Sequence, residues 1–258
     1  MDIDMSPYRA VVCGASKGIG RACAIELAQL GAELLLVARS EQALAELCDS
    51  LPGSGHSYLT LDMSNTADLK EKFPEALGDK GAQILIHNCG GPAAGPLIEA
   101  GEEQLEEAFT QHIVSAQLMA KAMISGMKER NYGRIIHVIS TSVKAPIPNL
   151  GVSNTIRGGM ASWAKSMANE LAGFGITVNN VLPGYTATSR LDALLESASK
   201  RTSKPVEQVE KEWKAKVPAG RFGKPEELAQ AVAFLASPAA SYINGINLPV
   251  DGGRTPSL

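Results

Sequence analysis

Three closely spaced glycines near the amino terminus are the first residues whose spacing suggests a chemical role. Gly14, Gly18 and Gly20 lie in the segment Cys13-Gly14-Ala15-Ser16-Lys17-Gly18-Ile19-Gly20, directly after a short apolar run. Glycine permits a tight turn and lets backbone N–H groups approach a pyrophosphate, and the amino terminus of a following helix adds partial positive charge. The spacing therefore predicts a nucleotide-binding loop, although a glycine turn that only packs a helix on a sheet has the same pattern.

Short apolar runs alternate with helical segments along the whole chain. We interpret seven runs as strands, at residues 10–13, 34–37, 57–61, 84–86, 135–139, 176–181 and 246–250. Helices are predicted at residues 19–30, 41–51, about 107–130 and after Ser153. Strands that are apolar throughout are typical of a parallel sheet buried on both faces. The pattern predicts one α/β domain over residues 1–258, a doubly wound Rossmann type with a seven-stranded parallel sheet flanked by helices.

Residues 188–220 form the one long stretch with no partner strand. The stretch is polar, has helical periodicity and leaves the carboxyl end of a strand, where open α/β sheets bind ligands. It predicts a lid over about residues 188–217. The apolar residues of this lid would either close on a partly apolar substrate or pack the lid on the core. They are Leu191, Leu194, Leu195, Val206, Val209 and Trp213.

Composition excludes several classes of function. The chain has 258 residues, 45% hydrophobic residues and a net charge of −3, without the basic excess of a nucleic-acid-binding protein. It has no apolar run of about 18 residues, so no membrane span is predicted, and no apolar leader follows Met1. The four cysteines form no CxxC pair. This usage indicates reduced thiols, no metal site and a cytoplasmic location.

Five further segments accompany the glycine loop. They are Leu61-Asp62-Met63, Asn88-Cys89-Gly90-Gly91, Pro183-Gly184-Tyr185-Thr186-Ala187-Thr188, Gly223-Lys224-Pro225-Glu226-Glu227 and Val250-Asp251-Gly252-Gly253. With them, residues 9–253 resemble the short-chain dehydrogenase/reductase family. The resemblance implies a nicotinamide dinucleotide cofactor, with the Asp62 side chain at the adenine and the segment from Pro183 along the nicotinamide. It also implies a homodimer or homotetramer paired through helices.

The resemblance and the local charge together predict the residues that bind the cofactor. They are Gly14, Ser16, Lys17, Gly18, Ile19, Gly20, Arg39, Asp62, Met63, Asn88, Gly90, Arg157, Pro183, Gly184, Thr186 and Thr188. The second strand ends in Val37-Ala38-Arg39-Ser40, without the acidic residue that commonly binds the ribose of NAD. Lys17 and Arg39 could instead neutralise a 2′-phosphate, which favours NADP(H) over NAD(H), unless both are ordinary surface cations.

The catalytic residues depart from the family pattern. Most members of the family use an asparagine, a serine and a Tyr-x-x-x-Lys pair on one helix. Aligned on the fifth strand and the helix after it, the four positions hold His112, Ser140, Ser153 and Arg157. No Tyr-x-x-x-Lys occurs anywhere in the chain. The sequence resembles a divergent branch, similar to the β-ketoacyl-carrier-protein reductases, that lacks the standard tetrad.

Each substituted residue has a chemical and a structural interpretation. The Arg157 guanidinium could bond a ribose hydroxyl or a substrate carboxylate, whereas Ser153 is too weak an acid to replace tyrosine. His112 could donate or relay a proton, or pack against the floor of the site. Tyr185 could face the pocket or pack in the lid. Ser153 and Arg157 could also reflect drift in a site that is no longer used.

Three functions remain open from the sequence. The first is an atypical NADP(H)-dependent reductase of a small-molecule carbonyl or imine, with His112, Tyr185 or a water held by Ser140 and Ser153 as the proton source. The second is a non-redox lyase, dehydratase or cyclase that uses Ser140, His112 and Arg157 on the same scaffold. The third is a non-catalytic nucleotide-binding protein. The complete glycine loop favours retained cofactor binding and hence the first.

Overall fold

A single parallel sheet organises the structure, which is a computed structural model that describes residues 1–257. Its strands are β1 (Arg9–Cys13), β2 (Glu33–Ala38), β3 (Ser57–Thr60), β4 (Ile84–Asn88), β5 (Gly133–Val138), β6 (Ile176–Pro183) and β7 (Asn247–Val250). They are ordered β3-β2-β1-β4-β5-β6-β7, and every neighbouring pair is parallel. The predicted Rossmann-type fold with a seven-stranded parallel sheet is confirmed.

Helices cover both faces of the sheet, because the apolar strands must be buried on each side. They are α1 (Gly18–Gln29), α2 (Glu41–Ser50), α3 (Thr66–Leu77), α4 (Glu102–Phe109), α5 (Ser115–Glu129), α6 (Gly151–Leu171), α7 (Ser189–Thr202), α8 (Val206–Lys214) and α9 (Pro225–Ala236). One core contains apolar residues of α1, α2 and α9, and the other contains residues of α3, α5 and α6. No helix within residues 1–257 is long and apolar enough to cross a membrane.

The sheet order places the site. The chain winds outward to β3 on one side of β1 and then crosses to β4 on the other side. The connections that follow β1 and β4 therefore diverge, and they leave a crevice at the carboxyl ends of these strands. The glycine loop of residues 14–20 and the turn after Asn88 both lie at this edge.

The helix predicted at about residues 107–130 differs from the observed structure in two respects. Helical structure begins earlier, at Glu102, because Gln104 accepts a hydrogen bond from the Gly101 N–H and two acidic residues occupy the first turn. The helix is also interrupted between α4 and α5 by a π-helical turn at Thr110–Val114. The prediction missed both features because it followed apolar periodicity alone.

Candidate active site

The glycine loop forms a tight turn between β1 and α1. Gly14 has a φ of +62°, and a Cβ there would lie 2.6 Å from the backbone oxygen of Asn88. A Cβ on Gly20 would overlap the carbonyl oxygen of Gly14. Both positions therefore require glycine, and the loop passes directly beside the end of β4. This close passage leaves the amino terminus of α1 open toward the crevice, as an anion site requires.

A cavity of about 1050 Å³ extends from the glycine loop to the lid. Most of the residues predicted from the sequence line it. They are Gly14, Ser16, Lys17, Gly18, Ile19, Arg39, Asp62, Met63, Asn88, Gly90, Ser140, Ser153, Arg157, Pro183, Gly184, Tyr185, Thr186 and Thr188. Gly20 and His112 are not among the lining residues. Gly20 packs against the Gly14 carbonyl on the side of the loop away from the cavity, and His112 is buried beneath the cavity floor.

One end of the cavity carries the charges expected to distinguish nucleotides. Arg39, whose side chain is 77% exposed, lies 3.8 Å from Asp62, and Lys17 lines the same cavity. Asp62 also accepts hydrogen bonds from the backbone and the hydroxyl of Ser64, which orient its carboxylate. Because the Arg39 guanidinium is exposed and loosely paired, it is free to meet a phosphate.

Two serines lie at the other end of the cavity. Ser140 lies two residues after the end of β5, and its Oγ accepts a hydrogen bond of 3.0 Å from the backbone N–H of Ser142. That contact leaves the hydroxyl hydrogen of Ser140 available to a ligand. Ser153 lies in the first turns of α6 and faces the same cavity. The two hydroxyls could orient a water or a substrate oxygen, but neither is an effective acid.

Arg157 follows Ser153 by one helical turn and is only 6% exposed. Its Nη1 donates to the backbone oxygen of Val138 at 3.0 Å, and its Nη2 donates to that of Cys89 at 3.4 Å. Within residues 1–257, no carboxylate forms an ion pair with this guanidinium. Burial lowers the Arg157 pKa to about 10, which still leaves the side chain charged near neutral pH. The site therefore holds a buried cation without a counter-ion.

His112 lies in the π-helical turn and is 1% exposed. Its Nε2 has no hydrogen-bond partner among the described residues. Burial, assisted by the positive charge of Arg157, lowers the His112 pKa to about 2. The imidazole is neutral near pH 7 and lacks the second proton that a general acid gives up. This placement argues against His112 as a proton donor and agrees with the alternative of a histidine packed beneath the site.

Tyr185 combines both roles considered for it. Its ring stacks on Trp213 at 4.7 Å, within a lid cluster that includes Leu191, Leu195 and Val209. Tyr185 also lines the cavity, and its hydroxyl accepts a hydrogen bond of 3.2 Å from Arg254 Nη2. The apolar lid residues thus pack mainly on one another. Leu191, Leu194 and Trp213 in addition face the cavity.

Sequence reasoning missed four cations that line the cavity. They are Arg190, Arg201, Lys216 and Arg254. The first three lie in the predicted lid. Counting the positive charges of that segment would have identified them as candidate cavity residues. Arg254 follows the last strand and gives no such signal, because its contacts come from residues 69 and 113 positions earlier.

A nucleotide-sized crevice at the switch point of a parallel sheet, closed by a glycine turn, defines a dinucleotide-binding α/β protein. The sequence model of the family described as enoyl-(acyl carrier protein) reductase matches residues 14–255. The chain belongs to the short-chain dehydrogenase/reductase family.

Known proteins resemble the chain over nearly its whole length. It is 37% identical to the 3-oxoacyl-[acyl-carrier-protein] reductase FabG of Vibrio cholerae, over 95% of this chain and 96% of that protein. It is 31% identical to the NADPH-dependent reductase BacG of Bacillus subtilis, over 98% of this chain and all of the relative. The crystal structure of L-sorbose reductase from Gluconobacter frateurii, complexed with NADPH and L-sorbose, superposes with a TM-score of 0.93 at 29% identity, and the match covers 100% of both chains.

Proposed function

We propose that this protein is an NADP(H)-dependent reductase of a carbonyl or imine group in a small molecule, with Ser153 and Arg157 in place of the tyrosine and lysine. The observation that carries the proposal is the single cavity that joins the glycine turn to Ser140, Ser153 and Arg157. NADPH-dependent relatives of similar length and fold support it.

The residues present fit a phosphorylated dinucleotide. A Cβ at Gly14 or Gly20 would fill the space in which the backbone turns, so the loop keeps its N–H groups open to a pyrophosphate. Arg39 and Lys17 supply positive charge where a 2′-phosphate would need it, and among the lining residues within 1–257 only Asp62 has a carboxylate. NADPH, when bound, supplies a hydride to the substrate.

The side chains of this protein would orient the substrate and handle the proton. Ser140 can donate a hydrogen bond to the substrate oxygen or nitrogen, and Ser153 can hold a water that delivers the proton. The charged Arg157 guanidinium stabilises negative charge that develops on the substrate. An imine that is already protonated when it binds requires no proton from the protein. Reduction of such a substrate does not need the missing tyrosine.

The first test is a calorimetric titration of the purified protein with NADPH and with NADH. The proposal expects tighter binding of NADPH, followed by NADPH oxidation with some members of a panel of ketones, enones and imines. If neither nucleotide binds, the proposal is wrong and the non-redox alternatives take its place. If NADPH binds tightly but no member of a broad panel is reduced, a non-catalytic nucleotide-binding protein is the better conclusion.

Replacing Arg39 with alanine is expected to weaken NADPH binding about tenfold and to leave NADH binding nearly unchanged, because only NADPH carries the phosphate that the guanidinium meets. Parallel titrations of the two nucleotides measure both effects. Lys70→Ala, an exposed lysine on α3, is the matched control and should alter neither. Equal losses for the two nucleotides would rule out a phosphate contact at Arg39.

Ser140→Ala is expected to lower kcat about tenfold, because one neutral hydrogen bond to the reacting group is lost. NADPH affinity should stay within about twofold of the original protein, since the predicted pyrophosphate contacts are made by the glycine loop. Steady-state kinetics on whichever substrate the panel yields, with a parallel NADPH titration, measure both quantities. Unchanged kcat would remove Ser140 from the proposed machinery.

A further inference from the structure

The cavity has a large imbalance of charge. The cations that line it are Lys17, Arg39, Arg157, Arg190, Arg201, Lys216 and Arg254. Of the described residues that line it, only Asp62 has a carboxylate, and this carboxylate already lies beside Arg39. In the half of the cavity that contains Ser140 and Ser153, no acidic side chain of the described chain balances the arginines. Such an arrangement attracts anionic ligands, and it disfavours a protonated imine unless that imine also carries an anionic group.

Arg254 is held in a fixed position in this half. Its guanidinium lies over the Tyr185 ring, 4.2 Å from the ring centroid, and its Nη2 donates to the Tyr185 hydroxyl. Its Nη1 donates to Thr141 Oγ1 at 3.4 Å. It makes no ion pair with any acid in residues 1–257. Two contacts and a stacked ring orient the planar group, and most of its five N–H bonds remain for a ligand.

Arg254 and Arg157 are anchored to the same strand end. Arg157 donates to the backbone oxygen of Val138, the last residue of β5, and Arg254 donates to the side chain of Thr141. Ser140 lies between these two anchor points in the chain. The two guanidinium groups are thus bonded to residues on either side, in the chain, of the serine that is proposed to contact the reacting group. A buried cation without a counter-ion is costly, and an anion bound here would offset that cost.

We propose that Arg254 and Arg157 bind a carboxylate of the substrate and so place the reducible carbon beside Ser140. This inference rests on the proposed reductase function and adds the chemical class of its substrate. Guanidinium and carboxylate groups match as planar, bidentate partners, which favours a carboxylate over a compact, spherical anion.

The phosphates of the cofactor do not account for these two arginines. The glycine loop, Lys17 and Arg39 already supply positive charge at the nucleotide end of the cavity. Arg190 lies beside Arg157, because the Nη2 atoms of the two side chains are 3.4 Å and 3.8 Å from the same Cβ position at Gly91, and Arg190 Nη2 donates to the backbone oxygen of Pro92. Arg254 instead contacts Thr141 and Tyr185, on the Ser140 side.

The test compares ligands that differ only in charge. Protein saturated with NADP⁺ is titrated calorimetrically with benzoylformate, with its uncharged methyl ester and with phenylphosphonate. Benzoylformate is expected to bind at least about tenfold more tightly than the ester. Arg254→Gln should lower this preference at least about threefold while changing the NADP⁺ affinity by less than about twofold, and Arg254→Lys should lower it less. Arg130→Gln, an exposed arginine at the end of α5, is the matched control and should keep all of it.

Several results would overturn the proposal. These are equal binding of the acid and the ester, a preference that Arg254→Gln leaves unchanged, and phenylphosphonate binding tighter than benzoylformate. The same titrations without nucleotide separate this inference from the proposed function. If NADP⁺ does not bind but the acid preference still depends on Arg254, the carboxylate site stands and the reductase proposal fails. If NADP⁺ binds and the preference is absent, the carboxylate site fails alone.

Discussion

Mild acid is expected to destabilise this protein strongly, because it contains three buried neutral histidines. Burial is the main cause that lowers the pKa of His87 to about 3 and that of His112 to about 2, and it places the pKa of His137 well below its usual value of 6.5. The positive charge of Arg157 lowers all three further, and His87 adds to the effect on the other two. None of the three can accept a proton near neutral pH without loss of its folded environment.

The sign of the effect follows from proton linkage. Below pH 6.5 the unfolded chain binds protons on these histidines and the folded chain does not, so the free energy of unfolding falls as the pH falls. Each histidine lowers the free energy of unfolding by about 1.4 kcal/mol for each pH unit below 6.5, and the three together lower it by about 4 kcal/mol for each pH unit. Since domains are stable by only about 5–15 kcal/mol, most of the stability should be lost within about two pH units below 6.5.

Urea unfolding at about pH 7.5, about pH 6.5 and about pH 5.5 measures this loss directly. His137→Leu should reduce the slope with pH by about a third, since it removes one of the three groups. It should also stabilise the protein at neutral pH, because neither ring nitrogen of His137 has a partner among the described residues. Thr177→Val is the matched control: it removes another buried, unpartnered polar atom but no titratable group, so the slope should not change. Equal stability at the highest and lowest pH would contradict the prediction.

The parts of the fold and site that could be predicted from the sequence are those encoded locally. Glycine spacing located the tight turn between β1 and α1, and uninterrupted apolar strands indicated a parallel sheet buried on both faces. The ends of the strands carry most of the lining residues, so the motifs after β1, β4 and β6 led directly to the cavity. A parallel sheet brings the carboxyl ends of its strands to one edge, independent of the exact bounds of its helices. The prediction of the cavity depended only on this property of the sheet.

The other features depend on contacts that no local pattern encodes. Arg157 could be assigned to the cavity by its position one turn after Ser153. Its hydrogen bonds to Val138 and Cys89 could not be predicted, because these residues lie 19 and 68 positions away in the chain. His112 is buried and lies in the π-helical turn, whose wider winding shifts the face that a side chain occupies. Periodicity arguments assume a regular helix, so they could not distinguish a proton donor from a packed side chain at this position.

Replacing Arg157 with methionine is expected to leave the folded protein at least as stable and to lower turnover about 100-fold. Removing the buried charge relieves its desolvation cost, which exceeds the loss of two hydrogen bonds to backbone oxygens. We therefore expect the free energy of unfolding at neutral pH to stay the same or rise by about 1 kcal/mol. Because burial remains the main cause that keeps the three histidines neutral, the variant should lose stability in mild acid with nearly the same slope as the original protein.

Arg134→Met is the matched control for this prediction. Arg134 is also buried, donates only to backbone oxygens, of Gly133, Gly175 and Ser237, and lies over the ring of Tyr132. It lies in β5 away from the cavity, so its loss should leave turnover of the folded protein unchanged. Its loss should lower stability by about 2 kcal/mol, because a third hydrogen bond and the contact with the Tyr132 ring add to what Arg157 would lose. The two variants thus separate an arginine that serves the structure from one that serves a ligand. If Arg157→Met instead lost about 3 kcal/mol of stability and kept its turnover, Arg157 would be the structural residue, because the cost would then arise from breaking buried contacts.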